Sequence, residues 1–179
     1  MTERPILFSA PMVRALLSGT KTQTRRIISE RDLAKAVVSG GWCAPGEVPR
    51  GWLCDQVARH GRPGDRLWVR ETFCYSDGHA SPKGTVCYRA NLPADEATGF
   101  TWKPSIFMRR ADSRITLEIT EVRAQRLQDI SADDAKAEGF DGSVFDAVQW
   151  YATLWDQING AGSWASNPWV WAISFRRLP

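Results

Sequence analysis

The chain has 179 residues but only two histidines and four cysteines, and no two cysteines stand in C-x-x-C spacing. Cys43, Cys54, Cys74 and Cys87, taken with His60 and His79, match no zinc-ligand template. No metal is therefore expected, and reduced, partly buried thiols are the default. No apolar run approaches the roughly 18 residues of a membrane span, so no membrane partner is expected. The opening Met1–Phe8 lacks the basic-then-apolar layout of a signal peptide, which points to a cytoplasmic location. P-loop, G-x-G-x-x-G, G-x-S-x-G and H-E-x-x-H motifs are all missing. Triphosphate hydrolysis, Rossmann redox chemistry, α/β-hydrolase and zincin readings lose their usual support, and no cofactor is expected. Net charge is only +3, too small to announce nucleic acid by itself.

What is present is a globular composition, 43% hydrophobic and 24% charged, in a length that suits one domain over residues 1–179. The charge is unevenly placed. Lys21, Arg25 and Arg26 lie together, as do Lys103, Arg109, Arg110 and Arg114, whereas acid gathers from Asp129 to Asp141. Separated patches of this kind steer anionic partners even when the sum is small, although ordinary solvated faces look the same in sequence.

Ser9, Pro11 and Gly19 bracket a short helix with Val13, Leu16 and Leu17 on its apolar face. Thr20–Ile28 reads as a strand, 30–38 as a helix, Arg66–Glu71 and 85–90 as strands. Ile115, Leu117 and Ile119 alternate, and Val122 breaks the parity, which predicts a bulge or strand end near Thr120. Ser131 opens a short helix ending at Glu138-Gly139, and Ser143–Asp146 repeats the capping device. Phe145, Val148, Ala152, Trp155 and Ile158 supply the packed face of a further helix. Trp169–Phe175 is a closing strand. Gly- and Pro-rich stretches at about 39–62 and 76–104 are loops or insertions. The first, pinned by Trp42 and Trp52, is expected to form a lid over a cleft. Strands outnumber helices and mostly lack helical crossovers, so the class is α+β, a mixed sheet or small barrel with helices attached.

The most informative stretch is Gly19-Thr-Lys21-Thr22-Gln-Thr24-Arg25-Arg26. A cationic strand edge carrying hydroxyls suits phosphate or nucleobase contacts. A polar edge strand whose charges discourage aggregation is the plainer reading. Among nine tryptophans, those at 150, 155, 169 and 171 fit core periodicity. Trp68 instead shares its strand face with Arg70. That pair suits stacking on a splayed base or, equally, cover for a second core face. Trp102 and Phe107 flank a basic loop and suit contacts with single-stranded nucleic acid.

Gly19, Lys21, Thr24 and Arg26 follow the G-x-K-x-x-[E/T]-x-R pattern of ASCH domains, relatives of the PUA RNA-binding fold. The resemblance extends over the opening helix, the Gly64-Asp65 turn and strand, the Arg114–Val122 strand, the Leu127–Gly139 segment and the closing strand. It implies a PUA-like small mixed β-barrel with flanking helices and a cleft between them. The Trp-rich ending is similar to longer, phage-related members. Some members are amidohydrolases acting on N4-acetylcytidine, and carrying their set over gives Lys21, Thr24 and Glu138 as catalytic residues. Gly19, Thr22, Arg25, Arg26, Trp68 and Arg70 are then expected to bind substrate or nucleic acid. The implied partners are RNA, single-stranded nucleic acid or a modified nucleoside. A noncatalytic RNA- or modified-DNA-binding module, a ribonuclease of the kind reported for some relatives, and a structural role in a phage are the alternatives.

The chemistry of such a set is coherent. A threonine hydroxyl attacks only when a base takes its proton. A lysine serves as that base when burial or neighbouring cations lower its pKa, whereas a close carboxylate opposes the shift. Side chains at 21 and 24 face opposite sides of a regular strand. Lys21 is therefore expected in the entering turn, or the strand in an irregular form. Glu138, at a helix C-terminus, sits where the helix dipole disfavours an anion, which raises its interest.

Overall fold

Alternation at Ile115, Leu117 and Ile119 buries all three residues, and the parity break at Val122 coincides with a bulge. The strand that follows Ile115 is Thr116–Arg126, and its register against the last strand shifts between Ile119 and Glu121. The exposed Thr120 is the extra residue, and the slip returns Val122 to the buried side. The computed structural model describes residues 1–29, 32, 59–76, 85–93, 96, 99–140, 142 and 146–179. Within them the order is β1 (Glu3–Leu7), α1 (Ala10–Ser18), β2 (Gln23–Ile27), β3 (Arg66–Arg70), β4 (Phe73–Tyr75), β5 (Val86–Tyr88), β6 (Thr116–Arg126), α2 (Ala132–Ala137), α3 (Ala147–Asn159) and β7 (Trp169–Arg177).

Five strands form one mixed sheet in the order β1-β3-β6-β7-β2, and β4 and β5 pair separately. β1 runs parallel to β3, and the other ladders are antiparallel. The α+β class follows. The sheet's hydrogen bonding leaves β1 and β2 as its edges, so among the described residues the sheet is open rather than a closed barrel. A side chain links the two edges instead: Arg26 Nη2 donates to the carbonyl of Leu7 at 2.7 Å. β1 escaped the sequence reading because Pro5 argues against a strand. An edge strand tolerates proline, which has no ladder N–H to give.

β7 is buried on both sides. Trp171, Ile173 and Phe175 join the larger core, which α1 covers with Val13 and Leu16. Val170 faces a second core built from Leu127, Ile130, Ala135, Ala147, Tyr151 and Trp155. One strand thus carries helices on both faces, and β2 at its flank lies within reach of both layers.

The caps explain the helix ends. Pro11 lies in the first turn of α1, and Gly19 stops it at φ 80°, a conformation costly for residues with a Cβ. Ser131 Oγ accepts the Asp134 N–H at 3.1 Å, as the capping pattern predicts. α3 differs from expectation. Its cap is Asp146, whose Oδ1 accepts the N–H groups of Val148 and Gln149 at 2.8 and 3.1 Å. Its buried stripe is Ala147, Tyr151 and Trp155, while Ile158 is 61% exposed. Ile158 stands exposed because the last turn of α3 borders the open side of a cavity rather than the core. Trp164, given no role by the sequence, packs edge-on against Tyr151 with ring centroids 6.3 Å apart. The expected helix at 30–38, Trp42, Trp52 and the greater part of the expected lid lie outside the described residues. No described helix is long and apolar enough to cross a membrane.

Candidate active site

Regular pairing of β2 begins only at Gln23. Lys21 precedes it, in an isolated bridge to Glu138, with its N–H on the carbonyl of Ala15 at 3.0 Å. The lysine therefore occupies the entering turn and escapes the strand's two-residue alternation. Glu138 arrives as the C-cap of α2. Gly139 follows at φ 101°, where an added Cβ would stand 3.1 Å from Ala15 Cβ and 3.4 Å from Lys21 Cβ. Glycine here lets the end of α2 close on the end of α1, which is what brings residues 21 and 138 together.

The Lys21 ammonium spends its three donors inside the protein, on Glu138 Oε2 at 2.7 Å, the Gln23 carbonyl at 2.8 Å and the Glu138 carbonyl at 2.9 Å. Arg25 Nη1 reaches Gln23 Oε1 at 2.6 Å and Glu138 Oε1 at 3.1 Å, and its Nη2 reaches Asp134 Oδ2 at 3.0 Å. Gln23 Nε2 and Arg123 Nη2 both donate to Asp134 Oδ1 at 3.1 Å. Lys21, Arg25 and Glu138 are each only 3% exposed. Buried charges persist only when paired in this way. Arg25 Nε is nonetheless buried without a hydrogen-bond partner.

The electrostatics oppose one another. Burial pushes Lys21 below the ordinary lysine value, the Glu138 carboxylate pushes back, and Arg26 and Arg25 reinforce burial; the net direction is down. Burial also raises Asp134, but the Gln23 hydrogen bond and the charges of Arg25 and Arg123 bring it below its usual value. The Tyr151 phenol is driven well above its ordinary value by burial and by the Glu138 charge.

This network forms one wall of a cavity of about 470 Å³, a size typical of small-molecule sites. Lys21, Thr24, Arg25, Arg26 and Glu138 all line it. Thr24 is buried, and its hydroxyl makes no hydrogen bond among the described residues. Phe8 supplies an aromatic floor, with Lys21 Nζ 5.7 Å and Arg26 Cζ 5.3 Å from its ring centre. Tyr151 lies opposite, 5.7 Å from Arg25 Cζ. The cavity lining also includes exposed apolar residues: Leu7, Ile27 and Ile158.

Other residues singled out in the sequence lie elsewhere. Gly19 and Thr22 are exposed beside the entering turn and do not line the cavity. Trp68 is buried on β3 with Arg70 Cζ 4.6 Å over its ring, and neither borders the cavity. Trp102 is packed against Phe100 and Arg89, whereas Phe107 stands exposed.

Gln23, Asp134 and Tyr151 belong to the site but carried no role in the sequence reading. Two of them were findable. Asp134 lies four residues before Glu138, hence on one helical face with it. Gln23 shares the Arg25 face by strand alternation. Tyr151 left no local signal, since only the docking of α3 brings it to β2.

No family model and no curated protein matches the chain. Two solved structures are similar to it. One is an ASCH domain from Lactobacillus crispatus, 14% identical, covering 98% of this chain and 79% of that one, with a TM-score of 0.45. The other is a protein from Enterococcus faecalis assigned to a family of unknown function, 11% identical, covering 99% and 80%, with a TM-score of 0.46.

Proposed function

We propose that the cavity binds the base of a modified cytidine, free or in RNA, and hydrolyses its N4-acyl amide without a metal. The observation that carries this reading is the unpartnered Thr24 hydroxyl in a cavity walled by a buried lysine–carboxylate pair. Thr24 Oγ attacks the acyl carbonyl as Lys21, in its neutral form, takes the hydroxyl proton. The carbonyl oxygen gathers negative charge, which the positive charge of Arg26, another residue of the cavity lining, offsets. Collapse breaks the C–N bond, and Lys21 returns its proton to the departing N4. Water, activated by the same amine, then releases the acyl group from Thr24. Glu138 orients Lys21 throughout by accepting its hydrogen bond.

One observation favours a second reading, a noncatalytic binding pocket. All three Lys21 donors are engaged by protein acceptors, as in a purely structural ion pair. The deciding experiment incubates the protein with N4-acetylcytidine, free and within an RNA oligomer, and follows acetate and cytidine. Turnover that survives in Thr24→Ser and vanishes in Thr24→Val supports hydrolysis. Binding without turnover supports the second reading. Neither binding nor turnover overturns both.

A further inference from the structure

The β4–β5 pair sets Cys74 directly opposite Cys87. Both thiols are free, Cys74 buried and Cys87 partly exposed. The flanking bonds, from Arg89 N to Thr72 O at 2.9 Å and from Ser76 N to Thr85 O at 3.0 Å, fix the alternation of the ladder. Positions 72/89 and 76/85 are hydrogen-bonded pairs, so 74/87, midway between them, is one as well. Residues in such a pair have Cα atoms about 5.5 Å apart, inside the roughly 4.4–6.8 Å span of disulfides.

We propose that Cys74 and Cys87 form a reversible redox site, closing to a disulfide with hydrogen peroxide or a small-molecule disulfide as oxidant. With peroxide, the Cys87 thiolate attacks one oxygen, the O–O bond breaks, and hydroxide leaves. The resulting sulfenic acid is attacked by the Cys74 sulfur; the S–O bond breaks and water departs with the Cys74 proton. The protein loses two electrons and two hydrogens, and peroxide becomes two waters. With oxidised glutathione, Cys87 first forms a mixed disulfide, and Cys74 then displaces the second glutathione thiolate. The division of labour follows exposure: Cys87 meets the oxidant, and Cys74 resolves it. Burial, with the neighbouring Cys87 thiol, also holds Cys74 above the ordinary thiol range, which keeps it from reacting first.

Closure carries strain. Cβ atoms of directly opposed residues stand about 4.5–5.5 Å apart, the hydrogen-bonded pairs at the wide end, whereas a disulfide needs about 3.5–4.5 Å. The strands must draw together, and strained disulfides are the labile kind, easily reduced. The hairpin begins beside the cavity, since Thr72, which lines it, directly precedes β4. Phe73 is also held to Lys103 by paired backbone bonds of 2.7 and 3.3 Å. None of the thiol chemistry passes through Lys21, Thr24 or Glu138, so the site stands or falls independently of the hydrolytic reading.

The test treats the full chain, folded, with hydrogen peroxide or oxidised glutathione. Intact mass, thiol titration and peptide mapping report the products. Expected is the loss of two hydrogens, both thiols vanishing together, a cross-link joining the Cys74 and Cys87 peptides, and full reversal by reduced glutathione. The Cys43→Ser/Cys54→Ser double variant should behave the same way. Cys74→Ala should trap glutathione on Cys87. Sulfinic acid at Cys87 with Cys74 still reduced, a cross-link to Cys43 or Cys54 instead, or oxidation only in denaturant overturns the proposal.

Discussion

Nζ of Lys21 and Oε2 of Glu138 lie 2.7 Å apart although 117 residues separate them in the chain. Neither side chain is more than 4% exposed. An ion pair this buried adds little net stability, because desolvation offsets the attraction. Breaking it is another matter. The Glu138 carboxylate also serves Arg25, so Glu138→Ala leaves two buried cations short of acceptors. The expected loss is about 3–5 kcal/mol, read as the fall in the urea midpoint at unchanged slope. A loss below about 1 kcal/mol, the scale of a surface pair, would show that solvent reaches this pair.

Two glycines near the site separate backbone strain from crowding. Gly19 sits at φ 80° with nothing within 4 Å of an added Cβ, whereas Gly139 sits at φ 101° against Ala15 and Lys21. Gly19→Ala should therefore cost only the left-handed conformation, about 1–2 kcal/mol. Gly139→Ala should cost that plus overpacking, typically a further 1–3 kcal/mol, and should displace Glu138 from Lys21. Comparing denaturant midpoints of the two variants checks this. Equal losses would show that the end of α2 yields freely.

Much of this site was legible for a local reason. The motif at Gly19–Arg26 puts a helix stop, an amine and a hydroxyl within one turn and strand entry, and each feature is set by neighbours in sequence. Thr120 was readable too, because a bulge shifts parity. Other features were set by distant partners. Pro5 hid an edge strand whose existence depends on pairing with β3. Ile158 fits a helical apolar stripe, yet it faces solvent at the cavity's edge, because periodicity reports a helix face and not what that face meets. Tyr151 enters the site only through the docking of α3. The sequence offered no means of choosing between stacking and cover for Trp68, since the strand pattern is the same for both; in the structure the ring is buried with Arg70 over it.

His60 is held down to about 4 by burial and by the charges of Arg26, Arg59 and Arg4, against the opposing charge of Asp32. The unfolded chain takes its proton near pH 6.5. Between those values the unfolded state binds more protons than the folded one, so stability falls as pH drops from about 6.5 to about 4. The interval corresponds to about 3 kcal/mol at most. Partial exposure of the ring reduces this to roughly 1–3 kcal/mol. Urea melts at pH 7 and pH 4.5 should show this loss in the natural protein and a smaller one in His60→Gln. Identical losses in both would place the acid sensitivity elsewhere.

The pH dependence of turnover bears on Lys21 directly. As a base it acts only when neutral, and burial, together with the charges of Arg26 and Arg25, lowers its pKa more than Glu138 raises it. The rate constant kcat/KM should therefore rise with pH through an ionisation below the ordinary lysine value of about 10.4. Glu138→Gln removes the negative charge that favours the ammonium, so the midpoint should move further down even as the rate falls. Lys21→Arg keeps the positive charge but cannot release a proton near neutral pH, so it should be inactive at every pH tested. A midpoint that moves up in Glu138→Gln, or activity retained in Lys21→Arg, would remove the lysine from the proton-transfer step. It would leave residue 21 as an anchor for the end of α2.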